Sequence, residues 1–381
     1  MNVGRFRRAK SIALIVLATL VSLALLAAAF IASGLYNVAA SESHFAVTTK
    51  LLAVTLRRSV ETHSLSVEGM PSDDDLVPLG ANHFAAACAP CHGSPAARRN
   101  PVVLNMLPAP PPLGEVASRW SPEQLFWIVR HGFKYTGMPA WPGEGRDDEV
   151  WALVAFLQRL PDIGEAQYRD LTGAAGIADR TEGPMPAFAD PGANLARSCA
   201  RCHGAEGAPP VSRRVPALHG QSAAYLERAL REYRDGTRSS GFMEPVAAAL
   251  ASGEIEAIVE DYAGYDRIGS PAVAKDAESL ERGRLIAQNG VRESGIPPCL
   301  ACHSGRASKQ FPVLAGLSAE YMTGQLSLWR RGLRDRSAYG AIMAVIANRL
   351  SDRQIRDVTG YLESLRDARP ADAPDPGGAR E

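Results

Sequence analysis

Apolar residues run without a charge from Ile12 to Ala32, directly after a leader segment carrying Arg5, Arg7, Arg8 and Lys10. As a helix such a run reaches about 30 Å, the thickness of bilayer hydrocarbon. The pattern predicts a transmembrane helix whose basic flank stays in the cytoplasm, leaving the rest of the chain on the outer side. A cleaved signal peptide is the competing reading, since Val38-Ala39-Ala40 has the small residues of a cleavage site. The apolar cores of such peptides usually span only ~7 to 15 residues, which favours a retained anchor. From His44 to Leu65, Phe45, Leu51, Leu52, Val54, Leu56 and Val60 interleave with Arg57 and Arg58. They predict a helix that lies near the membrane surface or serves as a plain juxtamembrane linker. Ser72-Asp73-Asp74-Asp75 then marks a solvated boundary.

Beyond it the pattern becomes one of short amphipathic segments separated by Gly and Pro. His83-Phe84 and the alanines up to Cys88 suit a short helix. Ser121-Pro122-Glu123 reads as a helix start, with Ser as cap and Pro in the first turn, and Gly132 as the stop after His131. Asp147 or Asp148 opens an amphipathic helix through Val150, Leu153, Val154 and Leu157. Residues 161–190 are rich in Gly, Ala, Pro and Asp and read as a linker. The next two stretches repeat each other. Pro216-Ala217-Leu218-His219-Gly220 aligns with Pro312-Val313-Leu314-Ala315-Gly316. Helices capped by Ser222 and Ser318 carry Tyr225 and Tyr321 and end at Gly236 and Gly332. Ser252 and Ser351 are the expected caps of the closing helices. The tail after Arg366 has the composition of a disordered segment.

Set on this framework, Cys88-Ala89-Pro90-Cys91-His92 reads C-x-x-C-H, and the pattern returns at Cys199, Cys202, His203 and at Cys299, Cys302, His303. This spacing signals covalent attachment of a c-type haem. The two thiols add to the haem vinyl groups and the adjacent imidazole becomes the proximal iron ligand. A C-x-x-C can also be half of a zinc site or a redox dithiol. Zinc needs a second pair nearby, whereas these pairs lie 111 and 100 residues apart, all six cysteines are used, and each second Cys is followed by His. Three covalently bound haem c groups, each with its iron, are therefore expected. Three motifs in 381 residues suggest three domains of about 80 to 90 residues, small enough that a bonded apolar haem would help each to fold. Lys plus Arg and Asp plus Glu are 41 each, so nothing points to a nucleic-acid partner. Haem attachment places the chain outside the bacterial cytoplasm, with no cysteine left for a disulfide.

The sixth iron position needs its own account. Met243 and Met343 each fall 40 residues after His203 and His303, which makes them the expected distal ligands. In the first stretch Met138, 46 residues past His92, is preferred over Met106, 14 residues past it. A methionine that merely fills a core is the alternative for each. The spare imidazoles His131 and His219 are read as surface or supporting residues. The other ring nitrogen of each proximal histidine needs an acceptor, and carbonyls of Pro112, Pro216 and Pro312 are the expected ones. Leu113, Leu218 and Leu314 would cover the haem faces.

With these residues placed, the chain resembles the class I cytochromes c: C-x-x-C-H early in each domain, a Pro-x-Leu-like segment, a distal methionine and a closing helix. The second and third stretches are similar to two-haem tandem cytochromes c, and the first to single-domain cytochromes with a Gly-Met-Pro loop. The resemblance covers roughly residues 78 to 366. It implies an all-α fold of three tandem cytochrome c domains after an N-terminal transmembrane helix. The boundaries are 1–35 for the anchor, 36–77 for a juxtamembrane segment, and 78–161, 191–268 and 278–366 for the domains, with a 162–190 linker and a 367–381 tail. It also implies low-spin His/Met irons in a respiratory-chain electron carrier, held at the bacterial inner membrane with its haems in the periplasm. Its partners would be redox proteins, a donor dehydrogenase or quinol-oxidising complex and an acceptor oxidase or reductase. A haem enzyme with one open iron (a peroxidase, or an oxidoreductase of small sulfur or nitrogen compounds) and the cytochrome subunit of a membrane dehydrogenase are the rival readings. No phosphate loop or nucleotide fingerprint adds a second cofactor.

Overall fold

The computed structural model describes residues 3–39, 41–172, 195–206, 208–266, 276–304 and 308–365. Ala40, most of the expected linker and the expected tail lie outside them. The described chain is helical throughout, without a named strand. Helix α1 (Val3–Ala32) leads, and its Lys10–Ala32 portion is long and apolar enough to cross a membrane. Helix α2 (Ala46–His63) follows, with Phe45, Leu51, Leu52 and Val54 exposed and Val60 buried.

The first haem-motif unit opens with α3 (Leu76–His83), a π-helical turn Phe84–Cys88 and α4 (Ala89–His92). The short helices α5 (Pro101–Leu104) and α6 (Leu113–Val116) border the proline-rich stretch. Helix α7 (Pro122–His131) starts in a reciprocal capping box between Ser121 and Gln124, and Gly132 at φ 59° ends it. Helix α8 (Asp147–Arg159) is buried at every position from Glu149 to Leu157. Its sequence looks one-sided because the second buried face carries only Ala152 and Ala155. Those small residues let Leu76, Leu79 and Val215 pack close, with Val215 coming from the next unit.

Part of the expected linker is structured. Helix α9 (Glu165–Leu171) docks Tyr168 onto Phe84 and Phe156, and Asn82 Nδ2 donates to Leu171 O at 2.9 Å. A two-turn helix anchored by one large side chain leaves too few apolar positions to show periodicity.

The second unit comprises α10 (Leu195–His203), α11 (Ala223–Arg234), α12 (Met243–Ala249) and α13 (Ser252–Gly264). The third comprises α14 (Ala277–Asn289), α15 (Cys299–His303), α16 (Ala319–Arg330), α17 (Ala338–Arg349) and α18 (Asp352–Ser364). Ser222, Ser318 and Ser351 cap α11, α16 and α18 as expected. Ser252 does not cap α13. Ala251 holds that place, and Glu254 reaches back to the Ala251 N–H at 2.7 Å instead.

Glycines sit where opening and closing helices cross. A Cβ on Gly80 of α3 would lie 2.0 Å from Ala152 O of α8, and one on Gly283 of α14 would lie 2.1 Å from Asp357 O of α18. Backbone cannot yield there without moving a helix. Gly80→Ala and Gly283→Ala are each expected to cost about 1–3 kcal/mol, read as a lower thermal midpoint.

The units are tightly joined. Asp75 Oδ2 accepts from Ser212 Oγ at 2.6 Å and from Arg213 N at 2.9 Å, and Asp73 pairs with Arg214 at 2.7 Å. The acidic run expected to be a solvated boundary is thus a clasp onto the 212–214 segment of the second unit, and of its three aspartates only Asp74 is largely free of cover. Between second and third units the contacts obey an approximate two-fold. Ser222 Oγ donates to Lys309 O, and its counterpart Ser318 Oγ donates to Arg213 O. Gln221 Nε2 donates to Val313 O at 2.8 Å, and Val313 N returns a bond to Gln221 Oε1 at 2.9 Å.

Candidate haem sites

Each C-x-x-C-H lies on a helix end whose histidine closes the turn. His203 Nδ1 is 2.9 Å from Pro216 O and His303 Nδ1 is 2.8 Å from Pro312 O, the expected acceptors. These contacts fix the ring planes and leave Nε2 as the nitrogen free to bind a metal. His92 instead uses Pro111 O, at 2.8 Å, rather than Pro112. The carbonyl of Pro112 is occupied by the first turn of α6, where Glu115 N donates to it at 3.1 Å. Within Pro110-Pro111-Pro112 the sequence pattern alone carries no register.

His203 and His303 are buried, and burial pushes both imidazoles below their ordinary range. Burial also pushes the thiols up, Cys88 to about 12 and Cys199, Cys202 and Cys299 to about 11. A redox dithiol needs the opposite shift. Among the described residues no group of three His, Cys, Asp or Glu side chains is gathered for a metal, so no second zinc-ligand pair stands beside any motif.

The second and third motifs open into one apolar cavity of about 410 Å³. Cys199, His203 and Met243 of the second unit and Cys299, Cys302, His303 and Met343 of the third all line it. The two methionines reach it differently. Met243 is the first residue of α12, whereas Met343 sits in the middle of α17. Their equal 40-residue intervals arise from offsetting differences: the histidine-to-proline segment is four residues longer in the second unit, and the glycine-to-methionine segment four longer in the third.

In the first unit Met138 lies in the loop after α7, its N–H bonded to Thr136 Oγ1 at 3.1 Å. Met106 comes to the same loop, since a Cβ on Gly137 would be 2.3 Å from the Met106 Cε methyl. Both sulfur-bearing side chains therefore meet at this loop. His131 is exposed at the end of α7 and stacks near Trp127. His219 is not a surface residue: it is 1% exposed, packs against Tyr262 and Tyr265, and holds Ala205 O at 2.9 Å through Nε2. Neither ring lines the cavity.

Sequence reasoning missed Arg238 and Arg334. Both are buried in the cavity wall, each two residues past the glycine that ends α11 or α16. Arg238 Nη2 donates to Tyr321 OH at 3.1 Å and its guanidinium lies 4.4 Å from the Tyr233 ring. Arg334 bonds Gln325 and lies 4.1 Å from the Trp329 ring, the counterpart of Tyr233. Burial and the like charge of Arg238 push the Arg334 guanidinium down. Among the described residues neither cation forms an ion pair; the Glu232 carboxylate in the same lining acts on Arg238 only from beyond contact distance. Two unpaired cations in an apolar chamber call for an apolar ligand with anionic groups, and a haem is a flat apolar macrocycle with two carboxylates. The residues present fit it. The Gly-x-Arg recurrence was the signal that repeat comparison offered.

Residues 75–157 match the family described as cytochrome c oxidase, cbb3-type, subunit III, and residues 189–257 match the cytochrome c family. A thiosulfate dehydrogenase electron acceptor of Stutzerimonas stutzeri (strain A1501) is 34% identical over 178 residues, 46% of this chain and 82% of that protein. Cytochrome c4 of Pseudomonas aeruginosa PAO1 is 32% identical over 174 residues, 44% of this chain and 83% of that protein. The structure of cytochrome c4 from Acidithiobacillus ferrooxidans aligns with a TM-score of 0.40 at 33% identity, covering 44% of this chain and 98% of that one. With these matches beside the C-x-x-C-H motifs, the chain belongs to the class I cytochromes c, electron-transfer proteins with covalently bound haem c.

Proposed function

We propose that this chain is a membrane-anchored tri-haem cytochrome that carries electrons between redox proteins on the periplasmic face of a bacterial inner membrane. Domains at about 78–161, 191–268 and 278–366 would each hold one haem, through Cys88 and Cys91, Cys199 and Cys202, and Cys299 and Cys302. His92 with Met138, His203 with Met243 and His303 with Met343 would hold the irons. A haem supplies one-electron chemistry at its iron. The chain's own residues would do the rest: prolines orient the imidazoles, Arg238 and Arg334 would meet the carboxylates, and apolar walls would limit water in the cavity. Thioether ligation raises the potential and closes the iron to substrates, which suits a carrier.

The observation that supports this reading is one apolar cavity lined by both His203 with Met243 and His303 with Met343. The donor side is read as a dehydrogenase of reduced sulfur compounds, on the strength of the 34% identity to an electron acceptor of thiosulfate dehydrogenase. Helix α1, apolar and uncovered, would hold the assembly at the membrane. Mass spectrometry of the native protein is expected to give the polypeptide plus three haems, and carbon monoxide should leave the reduced spectrum unchanged. A mass short of three haems removes the tri-haem assignment. Stoichiometric carbon monoxide binding would mark an open iron and favour the haem-enzyme reading.

A further inference from the structure

We propose that Trp141 and Phe242 form the electron bridge between the first and second haem sites, a deepening that rests on the three-haem reading above. Met138 and Trp141 share one loop, three residues apart, and Phe242 immediately precedes Met243. The two rings meet edge to face, with centroids 5.5 Å apart. His83, at the end of the helix leading to Cys88, closes the group at 4.9 Å from Trp141 and 4.4 Å from Phe242. The approach continues in the backbone: a Cβ on Gly241 would lie 2.2 Å from the Trp141 indole, and one on Gly143 would lie 2.4 Å from Gly241 N. Larger residues at either glycine would force the loops apart.

A buried carboxylate locks this geometry. Glu149 of α8 accepts from Trp141 Nε1 at 3.3 Å, Gly241 N at 2.6 Å and Ser240 Oγ at 2.6 Å. Arg146 pairs with Glu149 at 2.8 Å and donates to Ser239 O at 2.8 Å. One ion pair thus holds both loops that carry the distal sulfurs. Electronic coupling decays more slowly through bonded and closely packed π systems than across open gaps. Two rings in edge-to-face contact, each on the loop that carries a proposed distal ligand, therefore favour passage of one electron. One iron is oxidised and the other reduced, with no bond made or broken and no proton moved. Trp141 and Phe242 act as positioning and coupling residues and ligate nothing.

The test uses the full-length three-haem protein, with the first haem selectively reduced by a laser-triggered donor and transfer to the second followed by absorbance. Trp141→Leu and Phe242→Leu are expected to slow that transfer several-fold, while Trp141→Phe, which keeps a ring but loses the bond to Glu149, stays near the parent rate. Midpoint potentials, charge-transfer bands and thermal midpoints report whether the irons and the interface survive each change. Unchanged transfer in both leucine variants overturns the proposal. So does equal slowing in Trp141→Phe, which assigns the effect to the Glu149 bond. A parent whose mass lacks the haem at Cys88 and Cys91 overturns the three-haem reading itself, and is seen before any rate is measured.

Discussion

Replacing Cys199, Cys202, Cys299 and Cys302 with alanine together is expected to yield a chain whose second and third units do not fold. The cavity they share measures about 410 Å³. At about 24 cal/mol per Å³ of unfilled core volume, leaving it without its two ligands costs roughly 10 kcal/mol. That equals the whole stability of an ordinary domain, about 5–15 kcal/mol. Arg238 and Arg334 add to the cost, since without counter-anions two like charges would face each other in apolar surroundings. The first unit keeps its own aromatic core, built on Phe84, Phe126, Trp151 and Phe156. Far-ultraviolet circular dichroism should therefore fall by about half, since the helices outside the second and third units persist. A cooperative, native-like melt of the quadruple variant would refute this account.

The second large effect concerns the sulfurs. Met243→Ala and Met343→Ala should each abolish one thioether-to-ferric charge-transfer contribution and lower the potential of one haem. A thioether favours ferrous iron, so its loss shifts the equilibrium toward ferric. The expected drop is on the order of 0.1–0.2 V, within the ~0.8 V span that axial ligands control. Met343→Ala should also lower the melting temperature, because Met343 packs against the core of Ile296, Leu326 and Leu350. For the first haem the comparison is Met138→Ala against Met106→Ala, since the two side chains come to one loop. The Met138 change is expected to carry the spectroscopic loss. Spectropotentiometric titration of the four variants separates the outcomes, and a charge-transfer band lost only in Met106→Ala would move the ligand assignment there.

Much of this was legible in the chain because the chemistry is local. A C-x-x-C-H needs five consecutive residues, and a serine cap such as Ser121, Ser318 or Ser351 needs four. Periodicity found α8 through Val150, Leu153, Val154 and Leu157 for the same reason. What escaped depended on partners distant in sequence. Helix α8 looks one-sided until its alanines meet Val215, 60 residues and more away. Asp73 and Asp75 look solvated until Ser212, Arg213 and Arg214 arrive. The burial of His219 depends on Tyr262 and Tyr265, and its repeat counterpart Ala315 offered no hint of it. Arg238 and Arg334 were visible only as a recurrence, whose meaning came from the chamber they share.

Ser222 and Ser318 carry a consequence of another kind. Each hydroxyl begins its own helix and also grips a carbonyl three residues ahead of the proline that steadies the neighbour's imidazole. A shift at one ring is thereby only a few bonds from the other unit's first turn. The pair forms a reciprocal linkage, in which each unit's helix start is tied to the segment that orients the other unit's histidine.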